Sequence, residues 1–466
     1  LDPSMSSSFV DWIVRSTLKD ATFSRWASFG GELSILAEAA PDELLDALER
    51  DLQPNGPLEA VMNRTETGLF SSPAHTGILW AIERLCWSSQ HLERAICVLL
   101  RLARFNPEIN SGNNPSNSIR ETLQLYCPQT NADWQTRQIT ISRMLREDGE
   151  IAFDLVISLF PKGLSHWMRR ELPAWRDWAH GYTSRTTYRQ IAIEVRWCVD
   201  QLLAVAASEA DRWSALIELC GDIEDEQYGV VLESYQTRLA GGAFHENDKR
   251  QLWETINAML ISMEWSANRF RLPNGDIVDK CDITDSELSS TPHFPGELRR
   301  YEMYEQRLRA LRDASTPNDP VLAGCHAFLI GANPNHCTRH FSDRFNYEKQ
   351  QDNISEARNS IVVNVWRAEG LDGLLRLAAI EHMDADGVGR TAATSEEVPI
   401  ELEQVLPLLT STTNSDQRLA RGLIGVWAWQ RKDSLSSDVL PIVSTMSSDE
   451  MISSYLCCLP VGSEVW

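Results

Sequence analysis

The chain has 466 residues, of which 43% are hydrophobic and 23% are charged, a composition that excludes a disordered protein. Its 66 acidic and 43 basic residues give a formal net charge of −23, which opposes the backbone of a nucleic acid. No apolar run approaches the roughly 20 residues of a membrane span, and "LDPSMSSS" at the start is not a signal peptide. We therefore predict a cytoplasmic protein that binds neither nucleic acid nor membrane.

The first strongly periodic stretch, "GILWAIERLCWSSQHLERAICVLLRLARFNP", covers residues 77–107. Apolar residues recur there at helical spacing: Ile78, Ile82 and Leu85, then Leu92, Ile96, Leu99 and Ala103. The break at 88–90 is so short that the two helices must form an antiparallel hairpin. Thr76 is the predicted N-cap of the first helix, and Pro107 ends the second.

A second unit of the same form covers residues 136–161, with a break at Asp148 and Gly149. The Gly- and Asn-rich stretch 106–118 separates the two units and is predicted to project as a loop. Further helical patterns follow at 197–205, 213–219, 252–265, 355–366 and 418–429. Long β-branched runs with a period of two do not occur, so strand signals are almost absent.

Helix pairs at a spacing of roughly 40 residues are typical of an α-solenoid of the HEAT or tetratricopeptide type. We predict an all-α fold of stacked antiparallel helix pairs, irregular in repeat length, in which the 16 tryptophans mostly pack between helices. The predicted division is an N-terminal helical segment, 1–40, followed by two parts of a helical array, 41–270 and 271–466. Because the sequence does not begin with Met, we expect it to be part of a longer polypeptide.

One group of side chains resembles part of a zinc site. The stretch "HCTRH" places His336, Cys337 and His340 about one helical turn apart, but a fourth ligand is present only if His326 or Asp343 approaches. Solvated or capping groups are the favoured interpretation of such an incomplete set. We predict no metal and no cofactor.

Three other features have a functional and a structural interpretation. "EHMDADGVGR" contains Asp384, Asp386 and Gly387 but lacks the register and distal Glu of a calcium loop, so Gly387 is predicted to end or turn the helix pair. His75 precedes a helix start, where a buried structural role is favoured over a functional imidazole. The acidic runs 220–229 and 393–404 are predicted to be solvated helix starts, in preference to docking sites for a basic partner.

Several segments resemble, in chain order, the long helical half of very large bacterial STAND-type ATPases linked to antiviral defence. These segments are "SSPAHTGILWAIERLCWSSQHLERAICVLLRLA", "NPSNSIRETLQLYCPQT", "DPVLAGCHAFL", "GLDGLLRLA", "RLARGLIGVWAW" and "LCCLPVGSEVW". The resemblance covers roughly residues 40–466 and rests on packing motifs. Where the family is expected to have a continuous charged helix, this chain has "GANPNHCTRHFSDRF". The resemblance implies ATPase and effector parts outside this chain, and a solenoid that holds the whole protein inactive until a trigger, often viral, binds.

The chain contains neither G-x-x-x-x-G-K-[ST] nor G-x-G-x-x-G, and it also lacks G-x-S-x-G and H-E-x-x-H. We therefore predict a protein-interaction or sensor solenoid with no catalysis of its own, and a full-length protein that forms a homo-oligomer. The expected partner is a protein with a neutral or basic patch, discriminated by the irregular loops at 106–118 and 331–346. Two alternatives stay open: a hydrolase or nuclease of unrecognised type, and a housekeeping helical-repeat adaptor.

Overall fold

The computed structural model describes residues 3–63, 74–105, 112–161, 172–183, 186–268, 294–328, 347–431 and 435–460. Throughout these ranges the regular elements are helices and no β-strand is present, which confirms the predicted all-α class. None of the helices in them combines the length and apolar character needed to cross a bilayer. The chain forms two compact units, Leu1–Tyr235 and Gln236–Trp466. The three-part division at residues 40 and 270 stays a prediction.

The first unit consists of short helices joined by turns. They are α1 (Pro3–Leu18), α2 (Phe23–Phe29), α3 (Leu33–Ala39), α4 (Pro41–Asp51), α5 (Pro57–Met62), α6 (Ala74–Leu85), α7 (Leu92–Phe105), α8 (Pro115–Leu123), α9 (Trp134–Glu147), α10 (Gly149–Ser158), α11 (Tyr188–Val205), α12 (Ala210–Ile217) and α13 (Asp225–Ala240), within which the boundary falls.

Nine of these helices stack in two rows, as the α-solenoid prediction requires. In one row α3, α6, α8, α10 and α12 pack in that order, and in the other α4, α7, α9 and α11 do so, with contacts between the rows. Neighbours within a row run parallel: Gly77 of α6 lies against Gly30 just before α3, and further along Arg84 of α6 pairs with Glu38 of α3. Each row buries the apolar stripes that single helix pairs leave exposed.

The predicted helix pair at residues 77–107 is present as α6 and α7. Its periodic apolar residues are buried, which confirms the helical period. The predicted N-cap is wrong, because Thr76 is the third residue of α6 and its side chain is buried. A threonine at a helix start is as compatible with the first turn as with the cap, and the apolar pattern does not distinguish the two positions.

The predicted loop at 106–118 is wrong over its last residues, which begin α8. The side-chain oxygen of Asn114 accepts a hydrogen bond from the N–H of Asn117 at 2.7 Å, and Pro115 is the first helical residue. Asn at an N-cap and Pro at the next position start helices as readily as they form turns. Residues 106–111 lie outside the described ranges.

A segment of the first unit without α-helix, residues 172–183, contains a short 3-10 helix, Asp177–Ala179, and is attached to α3 by the buried carboxylate of Glu38. Its oxygens accept hydrogen bonds from the backbone N–H groups of Ala174, Trp175 and Arg176 at 2.9, 2.7 and 3.1 Å, and it also pairs with Arg84. Burial alone would raise the pKa of Glu38, but these donors together lower it below its ordinary value. The carboxylate therefore stays charged while it holds the segment in place.

Replacing Glu38 with glutamine is expected to lower the free energy of unfolding at neutral pH by about 2 kcal/mol, because several donors lose a charged acceptor. Since the pKa of Glu38 is lowered by folding, its stabilisation is present above the unfolded pKa of about 4.3 and is lost as the pH falls below it. Urea unfolding should show the difference from wild type shrinking over that range. The exposed Glu32, replaced in the same way, is the control and should change stability by less than about 0.5 kcal/mol. Equal effects of the two substitutions would contradict the assigned role of Glu38.

The second unit contains longer helices. They are α14 (Glu246–Asn268), α15 (Phe294–Ala314), α16 (Pro320–Gly324), α17 (Tyr347–Ala379), α18 (Ala385–Thr394), α19 (Leu402–Val405), α20 (Asn414–Gln430), α21 (Leu435–Thr445) and α22 (Asp449–Leu456).

Within this unit, α14 packs against α15 and α16, and α17 packs against α16, α18 and α20. The helix α17 is interrupted at Gly370, whose φ of 63° lies in the left-handed region that favours glycine. Helices α18 and α20 approach closely, where Gly389 lies against the backbone of Leu419 and Gly422 lies against the backbone of Asp386. A β-carbon at either glycine would overlap with a carbonyl oxygen of the opposite helix.

Candidate functional site

A groove on the surface of the first unit lies between α9 and α11 and has a volume of about 360 Å³. On α11, Trp197, Gln201 and Val205 line it at intervals of four residues, so they share one face of the helix. From α9 the lining comprises Gln135, Gln138, Ile139, Ser142, Leu145 and Arg146, again at helical spacing. We call this feature the α9–α11 groove.

An ion pair beneath the groove holds its two helices together. The guanidinium of Arg137 donates to both carboxylate oxygens of Glu194, at 2.7 and 2.9 Å, and both side chains are buried. The side-chain amide of Gln190 donates to the same carboxylate at 2.9 Å. Bidentate geometry fixes the orientation of both groups, so the two groove walls have a defined relative position.

Two tryptophans complete the attachment of α9 to α11. The rings of Trp134 and Trp197 meet edge to face with centroids 5.4 Å apart. The side-chain amide of Gln138 is oriented with its oxygen toward the two indoles. In this orientation the oxygen accepts one hydrogen bond from the indole N–H of Trp134 at 3.2 Å and another from the indole N–H of Trp197 at 3.1 Å. The indole of Trp197 is therefore held in one orientation while its ring lines the groove.

The charge of the α9–α11 groove differs from that of the whole chain. Of its nine lining residues none is Asp or Glu, and Arg146 is the charged one. Ile139 is 50% exposed within the lining, and Ile193, one turn before Trp197, is 49% exposed. The groove therefore presents apolar side chains, amide groups and a single cation in a chain with an excess of acidic residues.

A second apolar surface lies in the other row of the first unit. Ile35 and Trp80 are each exposed one turn before the paired Glu38 and Arg84 on the parallel helices α3 and α6. Trp175 is 66% exposed while its backbone N–H is held by Glu38. We call Ile35, Trp80 and Trp175 the Trp175 patch. It shows that not all tryptophans are packing groups, although Trp26, Trp87 and Trp213 are buried as predicted.

The zinc candidates His336, Cys337 and His340, and also Asp343, lie outside the described residues. His326 is described: its ring stacks on Trp253 with centroids 4.3 Å apart, and burial lowers its pKa to about 4. Its imidazole is therefore neutral at neutral pH. In the described part of the chain, no three His, Cys, Asp or Glu side chains are grouped as metal ligands.

The two carboxylates of the calcium-like stretch have structural partners. Asp384 is the N-cap of α18 and accepts from the N–H of Gly387 at 3.0 Å, while Asp386 accepts from Arg418 at 2.7 Å. The predicted role of Gly387 is wrong, because it lies in the first turn of α18 and does not end a helix. The Asp384 carboxylate folds over this position and leaves no room for a β-carbon.

The remaining sequence candidates have structural positions. His75 is buried at the start of α6, with its Nε2 3.3 Å from the backbone oxygen of Asn113. In the acidic run 220–229, Asp225 and Glu226 stand in the first turn of α13, where carboxylates favour the helix dipole. In the run 393–404, Glu401 caps α19. The predicted loop at 331–346 lies outside the described residues.

Sequence reasoning missed the α9–α11 groove. It followed Ile141 and Met144 of the buried stripe of α9, with Leu145 at the edge of that stripe, and did not consider the adjoining polar face. The available signal was the amide side chains of Gln135 and Gln138 beside Trp134, a polar face that contains an aromatic residue but few charges.

No family model matches the chain, and no curated protein matches its sequence. Among solved structures, an engineered protein from a structural genomics programme is 11% identical over 96% of this chain and 97% of its own, with a TM-score of 0.24. The karyopherin Kap121p, bound to the extreme C-terminus of the protein phosphatase Cdc14p, is 13% identical over 97% of this chain and 49% of its own, also with a TM-score of 0.24. At that TM-score neither likeness bears on the fold or function of this chain.

Proposed function

We propose that this chain is a protein-interaction solenoid that binds a protein partner through the α9–α11 groove and performs no catalysis of its own. The observation that carries the proposal is the groove itself, with Ile139 and Trp197 presented among amide side chains and no carboxylate in the lining. Because Gln138 and the Arg137–Glu194 pair already hold the groove walls, a partner meets a surface that is ordered before binding.

The chemistry of the groove defines the segment that fits it. A large apolar side chain of the partner would cover Ile139 and the ring of Trp197, while its backbone would meet the amides of Gln135 and Gln201. A single carboxylate on the partner segment would pair with the exposed Arg146. Elsewhere the partner presents a neutral or basic surface, because the chain carries a net charge of −23. Association should therefore weaken as the salt concentration rises.

The resemblance to the helical half of STAND-type ATPases extends this proposal. In such a protein the partner is a trigger, for example a viral protein, and binding shifts the full-length molecule from an inactive to an assembled state. The chain then acts in the cytoplasm as the sensor, and the nucleotide chemistry is performed by other domains.

Replacing Ile139 with aspartate is expected to weaken partner binding at least about tenfold, because it places a carboxylate in an apolar contact. Partners are captured on the wild-type chain from infected and uninfected bacteria and identified, and the dissociation constant of the purified complex is measured by calorimetry. The matched control is Ile35→Asp, which changes an isoleucine of similar exposure, 46% against 50%, in the other row. This control should bind like the wild type.

The control also tests the competing surface. If Ile35→Asp weakens binding and Ile139→Asp does not, the partner docks on the Trp175 patch and the assignment to the groove is wrong. If the chain retains only nucleic acid or a small metabolite, the interaction proposal fails and the enzyme alternative replaces it.

A further inference from the structure

A cleft in the second unit lies between α17 and α18, with Val426 of α20 at one wall, and has a volume of about 730 Å³. This volume is within the range of about 300 to 1,000 Å³ that small-molecule sites occupy. From α17, Ser355, Arg358 and Asn359 line the cleft at helical spacing, and α18 contributes Arg390. We call it the α17–α18 cleft.

The guanidinium of Arg358 is held in the cleft by contacts that leave most of its donors unused. Its Nε donates to the backbone oxygen of Ala327 at 2.9 Å, and its central carbon lies 5.0 Å from the ring centroid of Phe328. No carboxylate of a described residue lies within 4.0 Å of it, and the N–H groups of its two terminal nitrogens have no acceptor among these residues. Four donors of one partly buried cation are therefore available to a ligand.

This arrangement differs from that of Arg84 and Arg137. Arg84 and Arg137 are also largely buried, and each is paired with a buried glutamate, Glu38 and Glu194. Burial lowers the pKa of Arg358, an effect that the charge of Asp384 only partly offsets. A partly buried arginine without a carboxylate partner favours binding of an external anion, because the anion compensates a charge that burial has separated from water.

Other polar groups line the same cleft as Arg358. The hydroxyl oxygen of Ser395 is buried and has no hydrogen-bond partner among the described residues. Asn359 is exposed at the same wall, and Arg390 contributes a second cation that reaches Asp384 only at 3.5 Å. A buried hydroxyl without a partner is costly unless a ligand or water satisfies it.

The carboxylates of the cleft lining are more exposed than Arg358. Glu356, Glu396 and Glu397 line the cleft but are exposed, and Glu397 is paired with Arg367. The cleft lining therefore combines a partly buried cation with exposed carboxylates. A small anionic group can reach the cation, and the exposed carboxylates disfavour a large polyanion.

From this geometry we infer that the α17–α18 cleft binds a small molecule through an oxyanion, a carboxylate or a phosphate, held by Arg358 with the Ser395 hydroxyl as a further donor. A planar guanidinium group binds a carboxylate and a phosphate in the same bidentate geometry. The ligand is therefore defined by an oxyanion of either kind. The inference goes beyond the proposed protein binding, since it concerns a different unit of the chain and a different class of ligand.

The test measures binding of two probes, inorganic phosphate and acetate, to the full chain by NMR titration at constant ionic strength. We expect saturable binding of at least one probe, weakened about tenfold or more in Arg358→Gln. The stronger probe distinguishes a phosphate ligand from a carboxylate ligand. The matched control is Arg421→Gln, which removes the same charge from an exposed arginine of the same unit outside the cleft and should bind like the wild type.

A further variant keeps the test decisive if Arg358→Gln does not fold. Ser395→Ala removes one hydroxyl from the lining without touching Arg358, and it should weaken probe binding severalfold while circular dichroism stays unchanged. The inference is overturned if neither probe saturates on the wild type, if Arg421→Gln weakens binding as much as Arg358→Gln, or if folded Arg358→Gln and Ser395→Ala both bind normally.

Discussion

Replacing Glu194 with alanine is expected to lower the free energy of unfolding by about 3–5 kcal/mol, the effect of leaving a buried charge without its partner. Arg137 is 7% exposed and Glu194 is fully buried. In the variant, water therefore cannot solvate the guanidinium of Arg137 in place of the lost carboxylate. The effect should appear as a lower midpoint of urea unfolding followed by circular dichroism. Partner binding should also weaken, because the pair positions both walls of the α9–α11 groove.

A second ion pair of α9 provides a matched control. Arg143 of α9 pairs with Glu93 of α7, and both side chains are 37% exposed, so Glu93→Ala should cost less than about 1 kcal/mol. A double variant with Arg137→Met and Glu194→Leu removes both buried charges and should recover most of the lost stability. If Glu194→Ala is no more destabilising than Glu93→Ala, the buried pair does not hold α9 and α11 together.

Replacing Gly422 with alanine is expected to destabilise the second unit by about 3 kcal/mol, the upper part of the usual range for overpacking. The added methyl group would overlap with the backbone oxygen of Asp386, and a backbone atom cannot move aside as a flexible side chain can. The helices α18 and α20 would have to separate, with loss of packing along the contact. Urea unfolding of the full chain measures the change.

Gly425, three residues further along α20, is the matched control. A β-carbon there would lie 3.9 Å from the backbone oxygen of Cys458, an ordinary van der Waals contact. Gly425→Ala should therefore be neutral or stabilising by about 0.5–1 kcal/mol, because alanine is favoured over glycine inside a helix. Equal destabilisation by both substitutions would show that helix propensity, and not the α18–α20 approach, determines the effect.

The sequence alone determined the helical class and the position of many elements. Ile78, Ile82 and Leu85 are spaced at the helical period, and all three are buried in α6. Asp148 separates α9 from α10 where the pattern breaks, and its side chain caps α10. Such features are local, because hydrophobic period, caps and breaks depend on residues within a few turns of one another. Where local signals conflict, as at Thr76 and in the stretch that begins α8, prediction failed.

Only the tertiary structure decided which helices share a surface, and with it the candidate sites. Glu194 is separated from Arg137 by 57 residues, and Arg390 reaches the same cleft as Arg358 from a different helix. An apolar stripe specifies which face of a helix is buried but not which neighbour buries it. Polar residues recur at helical spacing on every exposed helix face, so their spacing does not identify the faces that meet at a groove. For this reason the groove, the cleft and the close approach at Gly422 follow from packing, while the helices themselves follow from the sequence.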